Sequence, residues 1–250
     1  MTAPKEGCVD LVESSQLGSR RHPWELARCD FFVWLLRRHR LLVPGVVAYD
    51  IGAGDGWLAD QLRARFPGAL IRCIDSGYGD GAPPAAGPDA LSSLPPTPAD
   101  VVLLLDVLEH VDDDVEFLRE IRLRSLRPGG AVLVSVPAWP SLWSGHDEAL
   151  GHRRRYTTAS VLALLRAAGL HVVEHGGLFA TLLPARAALA ALERVGVRRA
   201  SLHSRWEAGA LTTALVRGVL RLDARMGEAA ARLRLPWTGL SRWAVCRSLS

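Results

Sequence analysis

The residues Asp50-Ile51-Gly52-Ala53-Gly54-Asp55-Gly56 decide how this chain folds. Val46 to Ile51 reads as a buried strand running into Gly52, and Trp57 to Phe66 reads as the helix that follows, closed by Pro67-Gly68. Strand, glycine turn and helix in this order form the opening unit of an α/β sheet, whose ligands bind at the carboxyl ends of the strands. The glycines let the backbone approach a ligand closely. The spacing is GxGxG rather than the GxGxxG that seats a pyrophosphate on a helix N-terminus, and the acid before it repels phosphate. A ligand with a cationic end fits better, and a nicotinamide dehydrogenase is disfavoured.

The same alternation extends outward. Trp24 to Arg40 has the spacing of a leading helix that stops before Pro44-Gly45. Ala69 to Ile74 is a second apolar strand ending at Asp75, and Val101 to Asp106 is a third. Between them, Ser76 to Pro98 holds ten Gly or Pro in 23 residues and reads as a loop. Asp113 to Leu126 is an amphipathic helix with an acidic first turn, and Ala131 to Val136 is a fourth strand after Pro128-Gly129-Gly130. Thr158 to Ala168 is a further helix, His171 to Glu174 a strand and Trp243 to Cys246 a last strand, with helical stretches Thr181 to Val195 and Trp206 to Leu233 intervening. Largely apolar strands separated by helices imply a doubly wound, mostly parallel α/β sheet covered on both faces.

Of the 250 residues, 49% are hydrophobic and 22% charged, which excludes a disordered, collagenous or fibrous chain. Cys8, Cys29, Cys73 and Cys246 lie far apart without a CxxC pair, so neither a disulfide framework nor a cysteine zinc site is expected. Met1 to Ser15 lacks an apolar leader, and the longest uncharged run, Pro128 to Gly145, is broken by Gly and Pro, so a cytoplasmic protein without a membrane span is expected. The net charge of +4 is uneven, because Gly177 to Ser250 carries 12 Arg against four acids. No recognition module accompanies this basicity, which argues against nucleic acid as a partner. The sequence assigns no oligomeric state.

Asp75 lies about 20 residues beyond the glycines, where a carboxylate accepts hydrogen bonds from both ribose hydroxyls. With Asp106-Val107-Leu108-Glu109-His110-Val111 and Leu126-Arg127-Pro128-Gly129-Gly130 at the later positions, the chain resembles the class I S-adenosylmethionine-dependent methyltransferases. The likeness is to the small-molecule branch that includes quinone-pathway methyltransferases, and it covers His22 to Glu174 plus the last strand. It implies a sheet of the seven-stranded type with an antiparallel last strand and a helical insertion before it. By this likeness S-adenosylmethionine is the cofactor. Asp50 with Gly52, Ala53 and Gly54 would hold its methionine end, Asp75 with Ser76 its ribose, and Asp106 with Val107 the floor beneath the methionine. Asp89, in Asp89-Ala90-Leu91-Ser92-Ser93-Leu94-Pro95, is similar to the branch's adenine-contacting acid, although the helix and third strand that normally precede it are replaced here by the Gly/Pro loop. The implied organisation is a helical cover (1–45), a cofactor-binding core (46–177), a helical cap (178–238) and the last core strand (239–250). His22-Pro23-Trp24 with Arg28 either covers the cofactor or anchors the first helix. Glu109-His110 reads equally as an acid and histidine at a helix start or as functional groups.

After the fourth strand, Pro137 to Tyr156 concentrates Trp139, Trp143, His146, Asp147, Glu148, His152 and three consecutive arginines, Arg153 to Arg155. At a strand's carboxyl end this density points to a substrate pocket, and the resemblance implies the same, since bacterial members carry a similar His-Asp-Glu-Ala-Leu-Gly-His stretch. Trp143, Arg155 and Tyr156 are the candidate substrate contacts, and His146 and His152 the candidate proton acceptors. The competing reading pairs Arg155 with Asp147 or Glu148 and packs Tyr156 beneath the loop. No metal is expected, because the implied reaction transfers a methyl that is already activated.

These readings predict methyl transfer to a small or lipid-like acceptor at oxygen. The alternative is a catalytically silent adenosylmethionine-binding module with a basic docking surface. In the cap, Arg217, Arg221 and Arg225 recur at i, i+4 and i+8, with Leu211, Leu215, Leu222, Met226 and Leu233 toward the other side. Two readings stay open: residues 206–234 make peripheral contact with a membrane, or the helix packs its leucines on its own domain and leaves its arginines in water, as most amphipathic helices do.

Overall fold

The computed structural model describes residues 21–196 and 208–249. Its first helix, α1 (Pro23–Arg38), starts where Pro23 supplies a preset φ and His22 and Glu25 close a reciprocal capping box. Then follow β1 (Val47–Ile51), α2 (Trp57–Arg65), β2 (Leu70–Ile74), β3 (Ala99–Leu105), α3 (Asp114–Glu120), β4 (Leu126–Pro137), α4 (Gly145–Ala149), α5 (Thr158–Ala167), β5 (Leu170–Leu178), α6 (Leu183–Arg194), α7 (Ala210–Arg232) and β6 (Ser241–Ser248). The six strands form one sheet in the order β2-β1-β3-β4-β6-β5. β2, β1, β3 and β4 pair in parallel, and β6 runs antiparallel to both β4 and β5. This is the doubly wound, mostly parallel α/β class expected from the glycine turn.

Alternation along the strands explains why both faces are covered. Val101, Leu103 and Leu105 of β3 join a core shared with α1, α2 and α7, whereas Val102 and Leu104 join one shared with α3 and α5. On the first face Phe31 meets Trp243 edge-on with ring centroids 5.5 Å apart. Trp243 donates its indole N–H to the Gly177 carbonyl over 3.2 Å. A Cβ at Gly176 would come within 2.7 Å of that indole, so glycine there is a packing requirement.

Several boundaries differ from the sequence expectation. The helix after Asp113 ends at Glu120 and continues as a π turn, Ile121–Ser125. Leu126 already pairs with Ala99, and pairing then skips to Ala131 opposite Val101. β5 and β6 are longer than their apolar cores, because polar residues continue the ladder at their ends.

From Ser76 to Pro98 no strand forms; two short 3-10 turns and a single parallel bridge, Ile74 to Leu91, stand beside the sheet edge. Arg63 fastens this loop. Its guanidinium donates to the carbonyls of Ile71, Ala85 and Ala86 at 2.7 to 3.1 Å. A Cβ at Gly56 would lie 2.3 Å from the Ala86 nitrogen, which leaves glycine as the residue that lets loop and turn touch.

α6 and α7 lie between β5 and β6, the place expected for a cap, although the expected start at Trp206 lies outside the described residues, as does 1–20 of the cover. The orientation of α7 overturns the reading that packs its leucines on the domain. Leu220, Asp223, Ala224, Gly227, Ala230 and Ala231 face inward, while Leu211, Leu215, Leu222, Met226 and Leu233 are 48 to 75% exposed. Small residues win the inner face because they allow close approach, with Gly227 against Trp237. Two of the arginines reach across to α1, where Asp30 accepts from Arg217 at 3.2 Å and from the exposed Arg221 at 2.7 and 2.9 Å. Among the described residues no helix is long and apolar enough to cross a membrane.

The end of α1 is tied to β5 by Glu174, which accepts both nitrogens of an Arg38 fork at 3.0 Å and stands 2.6 Å from His39 Nε2. Burial works against the Glu174 charge, but the hydrogen bonds from Arg38 and His39 outweigh it and hold the carboxyl below its ordinary 4.5. A depressed folded pKa stabilises above the unfolded value, and that contribution is lost as pH falls through the folded one. Glu174→Gln is therefore expected to cost about 1 kcal/mol at neutral pH in urea titration, with the difference from the parent closing as the carboxylate range is crossed downward.

Candidate functional site

The carboxyl ends of β1, β2 and β3 bring three carboxylate-bearing turns to one end of the sheet. Asp50, on β1 between β2 and β3 and opposite Cys73 and Leu103, is 3% exposed. Burial pushes its carboxyl up to about 7, Arg63 and Arg28 oppose the shift, and Asp75 adds to it. Gly52 and Gly54 follow with φ of +72° and +55°. A Cβ at Gly52 would lie 2.7 Å from Val107 Cγ2, so the turn closes on the segment after β3 only because that position is bare.

Asp75 links this turn to the one after β2. Its Oδ2 accepts the Gly54 N–H at 3.0 Å and its Oδ1 the Gly77 N–H at 2.8 Å. Tyr78 completes the link by donating its hydroxyl to the Gly54 carbonyl at 2.7 Å. Each carboxylate oxygen has two acceptor sites, so these bonds leave capacity for further donors. Ser76 follows directly and is exposed. Asp89 is exposed too, two residues before the Leu91 bridge, and among the described residues no hydrogen bond joins it to the other carboxylates.

Asp106 ends β3 at φ +60° and accepts the Ser135 hydroxyl at 3.1 Å. Arg28 of α1 lies 2.5 Å from its other oxygen, with the guanidinium 5.5 Å from the Trp24 ring centre and 5.2 Å from that of Phe32. The first helix thus reaches over the site through Arg28. Asp50, Gly52, Ala53, Gly54, Asp75, Ser76, Asp106 and Val107 consequently share one corner of the fold.

The second half of the site is the loop after β4. Trp139 and Tyr156 pinch its base through backbone hydrogen bonds. Inside, Asp147 is completely buried and accepts from the Ser144 N–H at 3.0 Å, the Ser144 hydroxyl at 3.2 Å, Arg155 Nε at 2.7 Å and His152 Nδ1 at 2.9 Å. Arg186 of α6 lies 3.8 Å away. Burial raises the cost of the Asp147 charge, but the His152 and Arg155 hydrogen bonds dominate and hold its carboxyl well below the usual range.

Arg155 and Tyr156, expected to touch substrate, are both bound by framework groups. The Arg155 side chain is 7% exposed and binds the Ala138 carbonyl as well as Asp147. Tyr156 is 3% exposed and donates to Leu108 O at 3.0 Å and Asp114 at 2.8 Å; burial and that carboxylate push its phenol up. Their burial beneath the loop is the competing reading of these two residues. Trp143 is half-buried, with its indole N–H 3.4 Å from Glu148.

His146 and His152 are treated differently. Only His152 has a ring nitrogen fixed by Asp147; His146 is half-buried, and burial pulls its pKa down. His152 meets His110, with ring centroids 4.9 Å apart and planes at 76°. Glu109, 1% exposed, completes a group in which one potential donor atom of each residue lies within 4.8 Å of the others. Sequence reasoning left Glu109-His110 undecided and missed this meeting, because all of α3 and β4 separate the two histidines. Arg153 holds the segments together by donating its backbone N–H to Glu109 O at 2.7 Å and Nε to His110 O at 2.8 Å.

With this geometry in hand, comparison with known proteins gives a consistent picture. A Mycolicibacterium smegmatis protein named a probable S-adenosylmethionine-dependent methyltransferase is 35% identical over 121 residues, 48% of this chain. The chain matches 42% of that relative's length. The crystal structure of the [4+2]-cyclase SpnF aligns with a TM-score of 0.54 and 18% identity, over 96% of this chain and 91% of that one. Phosphoethanolamine N-methyltransferase 2 of Haemonchus contortus, in complex with S-adenosyl-L-methionine, aligns with a TM-score of 0.53 and 15% identity, over 87% of this chain and 52% of that one. At such identities these two structures speak for the fold alone. The family model described as a methyltransferase domain matches residues 49–175, just over half of the chain and the very part that carries the glycine turn, Asp75, Asp106 and the loop, so this chain belongs to the methyltransferase-domain family.

Proposed function

We propose that the chain transfers a methyl group from S-adenosylmethionine to an oxygen of a small or lipid-like acceptor. The observation that carries this reading is the Asp50–Gly54–Asp75 corner. Its residues fit the cofactor: Asp50 offers a buried carboxyl that an ammonium keeps ionised, the bare Gly52 leaves room for backbone approach, and Asp75 retains acceptor capacity for hydroxyls. Bound S-adenosylmethionine supplies a methyl on a sulfonium, activated for in-line displacement.

The chain's own residues then position and dry the acceptor. Charge disappears from the sulfonium during transfer, so exclusion of water favours the transition state over the reactants. The Pro137 to Tyr156 loop, latched to α6 through Arg186, provides that cover. Orientation supplies most of the rate. Within the loop His152 rather than His146 is the group assigned to meet the acceptor, because Asp147 fixes its ring and tautomer. Such a group serves a neutral hydroxyl, whereas an amine or thiolate acceptor needs positioning alone.

The exposed row of α7 supports a lipid-like acceptor delivered at a membrane surface. Leu211, Leu215, Val219, Leu222, Met226 and Leu233 form one apolar stripe, with exposed Arg225 and Arg232 along its edge. Apolar burial flanked by arginine suits an anionic bilayer.

Calorimetry is expected to give S-adenosylmethionine binding of micromolar order, about −8 kcal/mol. Asp75→Ala should weaken it by roughly 2 kcal/mol with the circular dichroism unchanged. S-adenosylhomocysteine release with hydroxylated acceptors tests the transfer itself; binding without release from any acceptor returns the silent binding module, and absence of binding overturns the cofactor.

Co-sedimentation with vesicles tests the surface. Binding is expected with anionic but not neutral vesicles, to fall with salt, since each arginine contributes about 1 kcal/mol, and to be lost in Leu215→Asp/Leu222→Asp. Equal binding to neutral and anionic vesicles at low salt removes the electrostatic component and with it this reading.

A further inference from the structure

We infer that Glu109, His110 and His152 form a binding site for a divalent transition-metal cation. The three residues come from two segments brought together by the fold, the turn after β3 and the loop after β4, and one nitrogen of each imidazole and a carboxylate oxygen lie within 4.8 Å of one another. That spread is wider than a coordinated ion leaves, so a bound ion would draw the three donors closer together.

The surroundings are those of a ligand set. Asp147 Oδ1 lies 2.9 Å from His152 Nδ1, and an imidazole that donates from Nδ1 in this contact offers Nε2 as its ligand atom. The His110 ring has a hydrogen-bond partner in the Gly151 backbone. An imidazole that gives its second N–H to a carboxylate or a carbonyl is the usual outer arrangement around a metal, fixing the tautomer and raising ligand basicity. Glu109 is 1% exposed, and a cation would offset the cost that burial sets on its carboxylate.

Two imidazoles and one carboxylate select a borderline ion such as Zn²⁺, Co²⁺ or Fe²⁺ over Mg²⁺ or Ca²⁺, which take oxygen. Three protein ligands leave an open position. Resting on the proposed transfer to oxygen, that position would take the acceptor's hydroxyl and lower its pKa, so that the proton leaves to solvent and the oxygen anion accepts the methyl, with His152 a ligand of the ion in place of a free base.

The test uses the full chain, stripped with a chelator and titrated with Co²⁺ while visible d–d absorption is recorded. One ion per chain with the intense bands of a tetrahedral or five-coordinate site is expected, displaced by Zn²⁺ and not by Mg²⁺. Glu109→Gln, His110→Ala and His152→Ala should each weaken binding at least tenfold, and Asp147→Asn about tenfold or more through the His152 ring. Retained S-adenosylmethionine binding in each variant certifies its fold. No saturable spectrum, or a spectrum unchanged in the Glu109 and His110 variants, overturns the site. Because absorbance reads the ion directly, a chain that binds Co²⁺ as described but methylates nothing refutes the transfer and leaves the site standing, whereas a chain that methylates without binding any ion does the reverse.

Discussion

Asp147 has no exposed surface and yet stays ionised, and much of the loop's architecture follows from meeting that charge. Withdrawing a carboxylate from water costs several kcal/mol unless its lone pairs are filled. Ser144 fills them from the start of α4, Arg155 and His152 from the returning chain, and Arg186 approaches from the cap. One buried charge therefore sets the path of the loop, the rotation of a histidine ring and the seat of α6. Arg153 and Arg154 extend the same logic outward, by closing the carbonyls of the turn after β3.

The parts legible in the sequence are those encoded locally. The glycine turn declares itself because positive φ and close approach admit few residues, and Asp75 because it ends an apolar strand at a fixed distance from that turn. The central strands β3 and β4 announce themselves by apolar runs buried on both faces. What was illegible depends on tertiary choice. The amphipathic pattern of α7 tells that two faces differ, but Asp30 on α1 and the small residues of its inner face decide which one is buried. Arg155 and Tyr156 look like pocket residues by type, and only the buried carboxylates Asp147 and Asp114 reveal them as framework. His110 and His152 lie far apart in sequence, and no spacing rule joins them.

The sheet also shows how little regular structure a binding corner needs. Where another strand would protect the edge of β2, a loop rich in glycine and proline is pinned by Arg63 and bridged once at Leu91. Edge strands need cover to escape pairing with other chains, and irregular chain provides it here. Because the similar fold of SpnF belongs to a cyclase by name, the architecture does not dictate the reaction, and the chemistry must be argued from the carboxylates and imidazoles at its end.

Asp106 carries a consequence of a different kind. It is a non-glycine residue held at φ +60°, a conformation that costs an L-amino acid about 1 kcal/mol. Glycine would relieve this at no steric cost, while losing the carboxylate that accepts from Ser135 and faces Arg28. Selection for thermal endurance alone would thus drift toward glycine at this position, and selection for chemistry would hold the acid. On the proposed function, a trade-off between endurance and activity is written into a single backbone dihedral.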